Sequence, residues 1–144
     1  MGGISRKLLQ AVLMSAAIFV VVTGADQALG GLYTLGLLEQ AVYFEVVDQG
    51  LFEIMDNHAR FIGGVWMGVG LVILVGLTNL AEHRSILNVA LALVFVGGLA
   101  RLSQMNVDVL FDPSILWALT VEIVGMPLLA LWLAAEVRRS AAAP

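Results

Sequence analysis

The sequence predicts an all-α, polytopic membrane protein, in which a bundle of four transmembrane helices carries an amphipathic extracytoplasmic helix between spans one and two. The first observation is composition: the 144 residues are 60% hydrophobic and only 12% charged, whereas soluble domains carry about 25% charged residues. The second is a set of four apolar runs, each close to the ~20 residues that a helix needs to cross the hydrocarbon. The third is the lack of polar–apolar alternation within these runs, which favours helices over a barrel. We expect a single membrane domain over residues 1–144.

The four spans are predicted at about residues 7–26, 58–80, 85–105 and 114–136. The start of the chain has an alternative interpretation as a cleavable signal peptide, because a basic pair, an apolar core and a Thr-Gly-Ala segment fit that outline. The second span contains no charge after Phe61, whereas the third and fourth contain Arg101 and Glu122.

The distribution of charge predicts the orientation of the spans. Basic residues precede span one, lie in the short link between spans two and three, and follow span four: Arg6, Lys7, Arg84, Arg138 and Arg139. An even number of spans places all of them on one side, which the positive-inside rule makes the cytoplasm. Both termini are therefore expected in the cytoplasm, with most acidic residues on the opposite side.

The long link between spans one and two is too apolar for a plain loop. Residues 41–55, placed on a helix at about 100° per residue, separate an apolar arc from an acidic one. Helices that bind lipid headgroups usually carry Lys and Arg, so we expect this acidic helix to cap its own bundle. Residues 27–40 are interpreted as either a re-entrant or an interfacial segment.

Charged side chains inside spans form the candidate site. A charge at the centre of a span costs at least ~2.5–3.5 kcal/mol on insertion scales, so Arg60, Arg101 and Glu122 each need a reason. Small residues share their helical faces and predict close packing, with Gly64 and Gly68 forming a GxxxG pair beside Arg60. We expect the three charges to converge on one cluster in the outer half of the membrane. The predicted packing glycines are Gly64, Gly68, Gly97 and Gly98.

A structural interpretation stands beside a functional one for each of these residues. Asp56 or Asn57 fits the N-cap of span two, the arginines are near enough to the interface to snorkel, and Glu122 is expected to pair with an arginine. Such an ion-pair network fixes helix register, or the same residues form a ligand or reaction site. The candidate residues are Asp56, Asn57, His58, Arg60, Arg101 and Glu122.

Several classes of chemistry have no support in the sequence. The chain has no cysteine, which excludes disulfides and thiolate ligands. His58 and His83 flank opposite ends of one apolar run, about 30 Å apart on a helix, and cannot share a metal or haem within one chain. A net charge of −4 without a basic run gives no support for nucleic-acid binding. No Walker, dinucleotide, nucleophile-elbow or HExxH motif is present, so we expect no metal and no cofactor.

Three segments together resemble a known family. The segments DNHARFIGGVWMGVGL, GGLARLSQ and EIVGMPLLALW, in this order and spacing, resemble the family called domain of unknown function 4345, which consists of small bacterial membrane proteins with four predicted spans. The resemblance covers nearly the whole chain and implies the bacterial cytoplasmic (inner) membrane as the location. It points to the residues Asp56, Asn57, His58, Arg60, Phe61, Gly97, Gly98, Arg101, Glu122 and Pro127. It implies no activity.

The expected function is that of a small membrane protein without a catalytic motif. The sequence favours an accessory subunit of a membrane complex or a binder of a lipid-like, amphipathic ligand. The alternatives are a membrane-embedded enzyme acting on an anionic amphipathic substrate, with Glu122 or His58 as acid or base, and a small transporter or channel. The expected partners are the lipid bilayer, further copies of the chain or a larger complex, and an anionic lipid-like ligand.

Overall fold

The computed structural model of the protein describes residues 2–38 and 43–142, and in these ranges the ordered elements are all helical. In chain order they are α1 (Gly2–Gly30), a 3₁₀ turn (Gly31–Tyr33), α2 (Gln49–Gly76), α3 (Arg84–Leu102), α4 (Val107–Leu110), α5 (Pro113–Thr120), a π-helical segment (Val121–Gly125) and α6 (Met126–Ala141). The last three join into one continuous helix, Pro113–Ala141.

Four helices in the described ranges are long and apolar enough to cross a membrane: Gly3–Tyr33, Gln49–Gly76, Arg84–Leu102 and Pro113–Ala141. Their outer faces leave many large apolar side chains exposed, among them Phe61, Val89 and Leu131. Exposure on this scale is unfavourable in water but not in lipid. The predicted all-α membrane fold with four spans is confirmed.

The second span starts earlier than the sequence predicted. Residues 43–48 of the expected amphipathic helix are not helical, and residues 49–55 form the first turns of α2 itself; residues 41 and 42 lie outside the described residues. The side chain of Asp48 accepts a hydrogen bond from the backbone N–H of Leu51 at 3.0 Å and caps the helix there. The helical pattern then continues through Asp56 and Asn57, so the segment expected as a separate helix belongs to α2.

The described chain forms two compact units, each of which is considered by itself. The first unit is Val12–Val75. In it, α1 and α2 approach so closely that an ideal Cβ at Gly63 would lie 2.4 Å from the backbone nitrogen of Ala28, and one at Gly24 would lie 2.3 Å from that of Met67. Glycines allow the two backbones to meet, as is common between helices in membranes.

The predicted GxxxG pair, Gly64 and Gly68, does not form this contact, and its role in helix packing stays a prediction. A Cβ at Gly64 or Gly68 would meet no atom within 4 Å among the residues that the structure describes, whereas one at Gly70 would lie 2.9 Å from the carbonyl oxygen of Ala17. Gly63 and Gly70 are seven residues apart and share a face after two turns. The packed face of α2 is therefore one residue out of register with the motif that the sequence suggested.

The second unit is Met1–Ala11 together with Gly76–Pro144. Here α3 packs against α6, and their buried residues form its core: Leu87, Ala90, Leu91, Val94, Met126 and Leu133. Gly98, near the end of α3, lies against Glu122, just ahead of α6, because a Cβ there would be 2.7 Å from the Glu122 Cβ. The two helices are therefore antiparallel. An added Cβ at Gly97 meets nothing within 4 Å in the described ranges, and the packing role expected of Gly97 stays a prediction.

The fourth long helix begins with an aspartate cap. Asp112 accepts a hydrogen bond from the backbone N–H of Ser114 at 2.9 Å, and Pro113 occupies the first turn, where its missing N–H costs nothing. Hydrogen bonds from the Ser114 hydroxyl and then from its N–H lower the pKa of Asp112. The carboxylate therefore stays ionised at the helix N-terminus.

Candidate functional site

The ion pair between Arg101 and Glu122 joins α3 to the fourth long helix. Nε of Arg101 donates to Oε2 of Glu122 at 2.8 Å. Glu122 is 8% exposed, whereas the Arg101 side chain is 44% exposed. A buried carboxylate is thus paired with a cation that is half exposed. The arginine with which Glu122 was expected to pair is Arg101.

The π-helical segment explains how Glu122 reaches this place. The backbone N–H of Met126 bonds to the carbonyl of Val121, five residues earlier, instead of four. Pro127 follows directly; it has no N–H for the carbonyl of Ile123, and its ring crowds that carbonyl. A widened turn relieves this conflict, and π turns of this kind are frequent at functional sites.

A second ion pair, between Asp56 and Arg60, lies within α2. Nε of Arg60 donates to Oδ2 of Asp56 at 2.6 Å, and its Nη1 also donates to the backbone carbonyl of Leu29 at the end of α1. Oδ1 of Asp56 accepts from the backbone N–H of Leu32 at 2.9 Å. The pair therefore satisfies backbone groups that the end of α1 leaves open.

A glycine in the turn after α1 makes room for this arrangement. Gly31 has φ +68°, a conformation that favours glycine, and a Cβ there would lie 1.9 Å from Oδ1 of Asp56. Asp56 is not the N-cap of the second span, since α2 begins seven residues earlier. Asn57 and His58 are exposed; the side chain of neither forms a hydrogen bond to the chain within residues 2–38 and 43–142.

The structure thus brings together Asp56 with Arg60 in one unit, and Arg101 with Glu122 in the other. The convergence of both pairs on a single cluster stays a prediction. No group of three or more His, Asp or Glu side chains in the described ranges is arranged to hold a metal ion.

An open groove of about 520 Å³ runs between α3 and α6. Its walls are apolar over most of their length, with Phe95, Pro127 and Leu131 among them, and the two polar side chains are Arg84 and Asn88. Oδ1 of Asn88 is buried and has no hydrogen-bond partner in the described chain. This groove was not predicted from the sequence. Arg84 precedes the third apolar run and Asn88 is an uncharged residue near its start, so neither stands out as a charge inside a span.

Comparison with known proteins decides the family. The family model described as Domain of unknown function (DUF4345) matches residues 8–133, most of the chain. The protein belongs to the DUF4345 family. No curated protein and no solved structure matches it. The match includes both ion pairs and most of the groove of this DUF4345 protein, so the family to which the three sequence segments pointed is confirmed.

One polar network of this DUF4345 protein, formed mostly by residues outside the matched range, was not predicted from the sequence. Oε1 of Glu136, a residue only 3% exposed, accepts from the Ser5 hydroxyl at 2.5 Å and from Nη1 of Arg139 at 2.7 Å. Nε1 of Trp132 donates to the Ser5 oxygen at 3.1 Å. Trp132 and Glu136 are four residues apart on one helical face, a spacing that could have indicated the network. Because Arg138 and Arg139 follow, Glu136 was taken for part of a solvated helix end. The network ties the start of α1 to α6 within one unit.

Proposed function

We propose that this DUF4345 protein is a non-enzymatic membrane protein that binds a lipid-like, amphipathic ligand inside the bilayer. The groove between α3 and α6 carries the proposal. Its volume of about 520 Å³ lies in the range of small-molecule sites, ~300–1,000 Å³, which are usually apolar with a few placed polar groups. An open apolar groove on a membrane helix pair is filled by lipid or by a lipid-like molecule.

The engagement of the charged residues supports a role without catalysis. Arg60 and Asp56 bind each other and the backbone at the end of α1, and Glu122 is bound by Arg101. Each of these four side chains is engaged in an ion pair, as expected for charges that hold helices in register.

We also propose the bacterial inner membrane as the location, with both termini in the cytoplasm. Support comes from the five basic residues that flank the spans on one side of an even-numbered topology. Fusions of a reporter that is active only in the cytoplasm, placed after Pro144 and within the link at residues 43–48, test it. Activity at the first position and none at the second is expected; the reverse pattern contradicts the orientation.

Native mass spectrometry of gently extracted protein tests ligand binding, because it reports stoichiometry and bound lipid together. We expect one retained lipid per chain and its loss in Ala130→Phe, which fills the groove. Leu128→Phe, on the exposed face of the same helix, is the matched control and should retain the lipid. Equal retention by both variants, or no lipid in the unmodified protein, contradicts the proposal. A stoichiometric second protein would favour an accessory subunit instead.

A membrane-embedded enzyme is the second candidate, favoured by one observation. Glu122 is a buried carboxylate in a π-helical segment beside an arginine that is half exposed, and this geometry suits an acid or base next to an anion-binding group. Glu122→Gln tests it in a reaction of the extracted protein with anionic amphiphiles. Turnover by the unmodified protein that the correctly folded variant lacks supports the enzyme; no turnover by either contradicts it.

A further inference from the structure

We propose that the exposed surface of residues 43–55 docks a basic amphipathic segment of another protein at the membrane boundary. This acidic–apolar surface comprises the link before α2 and the first turns of α2. It lies in the unit Val12–Val75, whereas the groove between α3 and α6 lies in the other unit. The inference therefore goes beyond the proposed lipid binding and does not depend on it.

The start of α2 extends out of the hydrocarbon. The helix has 28 residues, or about 42 Å at 1.5 Å per residue, whereas the hydrocarbon core of a bilayer is about 30 Å thick. Both carboxylates of α2, Glu53 and Asp56, lie in its first eight residues, and a charge in hydrocarbon is costly. The excess length is therefore at this end, and lipid chains do not cover residues 43–55.

Large apolar side chains are exposed on this surface. Val47 is 94% exposed and Tyr43 is 89% exposed. Leu51, Ile54 and Met55, at the i, i+3, i+4 spacing of one helix face, are also exposed. Hydrocarbon accounts for the exposed apolar residues inside the spans, but not for these. Apolar exposure of this kind beyond the hydrocarbon indicates a protein-interaction site.

Aromatic packing holds the surface in place. The Tyr33 ring stacks on that of Phe44 with centroids 4.9 Å apart, and its centroid lies 5.3 Å from that of Phe52 on α2. It also stacks on the Tyr43 ring at 6.3 Å, and Asp48 caps the helix that follows. The link is thus held against α2. Its exposed side chains therefore lose little conformational freedom when a partner binds.

The charge of the surface specifies its partner. Glu45, Asp48 and Glu53 are all exposed, and none of them forms an ion pair with the part of the chain that the structure describes. The sequence contains no lysine or arginine from residue 8 to residue 59. Carboxylates without a cation, set among apolar side chains, complement lysine or arginine residues that are interspersed with apolar ones.

The same charge argues against two other occupants. A second copy of the chain would bring the same carboxylates to the contact, and like charges repel. The phosphates of lipid headgroups are anionic as well, and helices that bind them usually carry Lys and Arg. A basic amphipathic protein segment is the occupant that matches both the carboxylates and the apolar side chains.

Binding of a synthetic peptide to the full-length protein in phosphatidylcholine nanodiscs tests the inference. The probe is a fluorescent peptide of about 15 residues, with lysine and leucine at amphipathic helical spacing, and empty nanodiscs measure its binding to lipid. A glutamate–leucine peptide of the same spacing and a scrambled lysine–leucine peptide are the comparison probes. We expect the first peptide to bind the protein about tenfold more tightly than either comparison probe. Equal binding to empty and protein-containing discs, or equal binding of the three peptides, overturns the inference.

Two pairs of variants locate the contact. The double variant Glu45→Gln, Glu53→Gln should weaken peptide binding about fivefold, whereas Asp108→Asn, which removes an exposed carboxylate of the other unit, should not. Val47→Ser should also weaken binding, and Val89→Ser, on an exposed face of α3, is its control. All of these side chains are exposed, so the variants should fold. Equal effects within either pair contradict the assigned surface.

A photoreactive residue in place of Val47 tests the surface in the native cells of the protein. We expect a covalent adduct whose crosslinked peptide combines lysine or arginine with apolar residues, and its loss in the double variant Glu45→Gln, Glu53→Gln. An adduct with a second copy of the chain, an adduct with lipid alone, or an adduct that survives the double variant overturns the inference. Lipid retention by native mass spectrometry should be the same in all of these variants, so failure of this inference is distinguishable from failure of the proposed function.

Discussion

Arg60 and Arg101 each lie at a boundary of an apolar run, Arg60 just before one begins and Arg101 just before another ends, yet their partners lie at different distances along the chain. Arg60 binds Asp56 one turn earlier on its own helix and the carbonyl of Leu29. Arg101 binds Glu122, 21 residues away on another helix. The first contact closes a helix end, whereas the second holds a buried charge between two helices. We therefore expect their removal to have unequal effects.

The largest effect is expected from Arg101→Met. This variant leaves the buried Glu122 carboxylate without its cation, and breaking one side of such a pair costs about 3 kcal/mol or more. Thermal unfolding in detergent measures the loss. The double variant Arg101→Met, Glu122→Gln should recover most of it, because the buried charge is gone. A double variant that is no more stable than Arg101→Met contradicts the role assigned to the pair.

The next effect concerns the contact between α1 and α2. Gly63→Ala forces a methyl group against the backbone of Ala28 and should cost about 1–3 kcal/mol in the free energy of unfolding, as overpacking does. Gly64→Ala is the matched control one residue away, where a Cβ meets open space. Its unfolding temperature should equal that of the unmodified protein. If Gly64→Ala is the more damaging variant, another helix occupies the GxxxG face.

A smaller effect is expected from Arg60→Met. The Arg60 side chain is 43% exposed and its carboxylate partner lies one turn away, and exposed pairs of this spacing contribute about 0.3–0.5 kcal/mol. Global stability should change little, but the end of α1 loses the hydrogen bond at the Leu29 carbonyl. Limited proteolysis within residues 43–48 should therefore accelerate more than in Arg101→Met. Equal loss of unfolding free energy in Arg60→Met and Arg101→Met would contradict the different roles assigned to the two ion pairs.

The smallest effect is expected from His58→Ala. The side chain of His58 is exposed and forms no hydrogen bond within the described ranges, so the free energy of unfolding should change by no more than ordinary surface substitutions cause, about 0.5 kcal/mol. Lipid retention should also be unchanged. Loss of retention with intact stability would instead assign His58 to the site.

The features that depend on composition were predicted from the sequence, whereas those that depend on which face of a helix packs against its neighbour were not. Apolar runs located all four spans, because hydropathy accumulates over ~20 residues and tolerates errors at the ends. The polar residues Asp56 and Asn57 suggested a helix start, but α2 begins at Asp48's cap, since a polar pair does not itself break a helix. Gly64 and Gly68 matched a packing motif, yet neighbouring glycines make the contact; a shift of one residue turns a helix by about 100°.

The site shows the same division. That Glu122 needs a cation followed from the cost of a charge in lipid, and the structure supplies Arg101. The helical face assigned to Glu122, shared with small residues, assumed 3.6 residues per turn through a segment that is π-helical. Glu136 escaped notice because it lies next to Arg138 and Arg139, where an acidic residue looks like part of a solvated end.

The π-helical segment has a consequence for insertions and deletions. A π turn holds one residue more than an α turn, so the fourth long helix equals a regular helix with one residue added between Val121 and Gly125. Deleting Val124 would restore regular winding and rotate everything before it by about 100° relative to α6. Glu122 would then leave Arg101 while the groove walls on α6 stayed in place. Deletion of one residue would therefore remove the Arg101–Glu122 ion pair and keep the groove between α3 and α6.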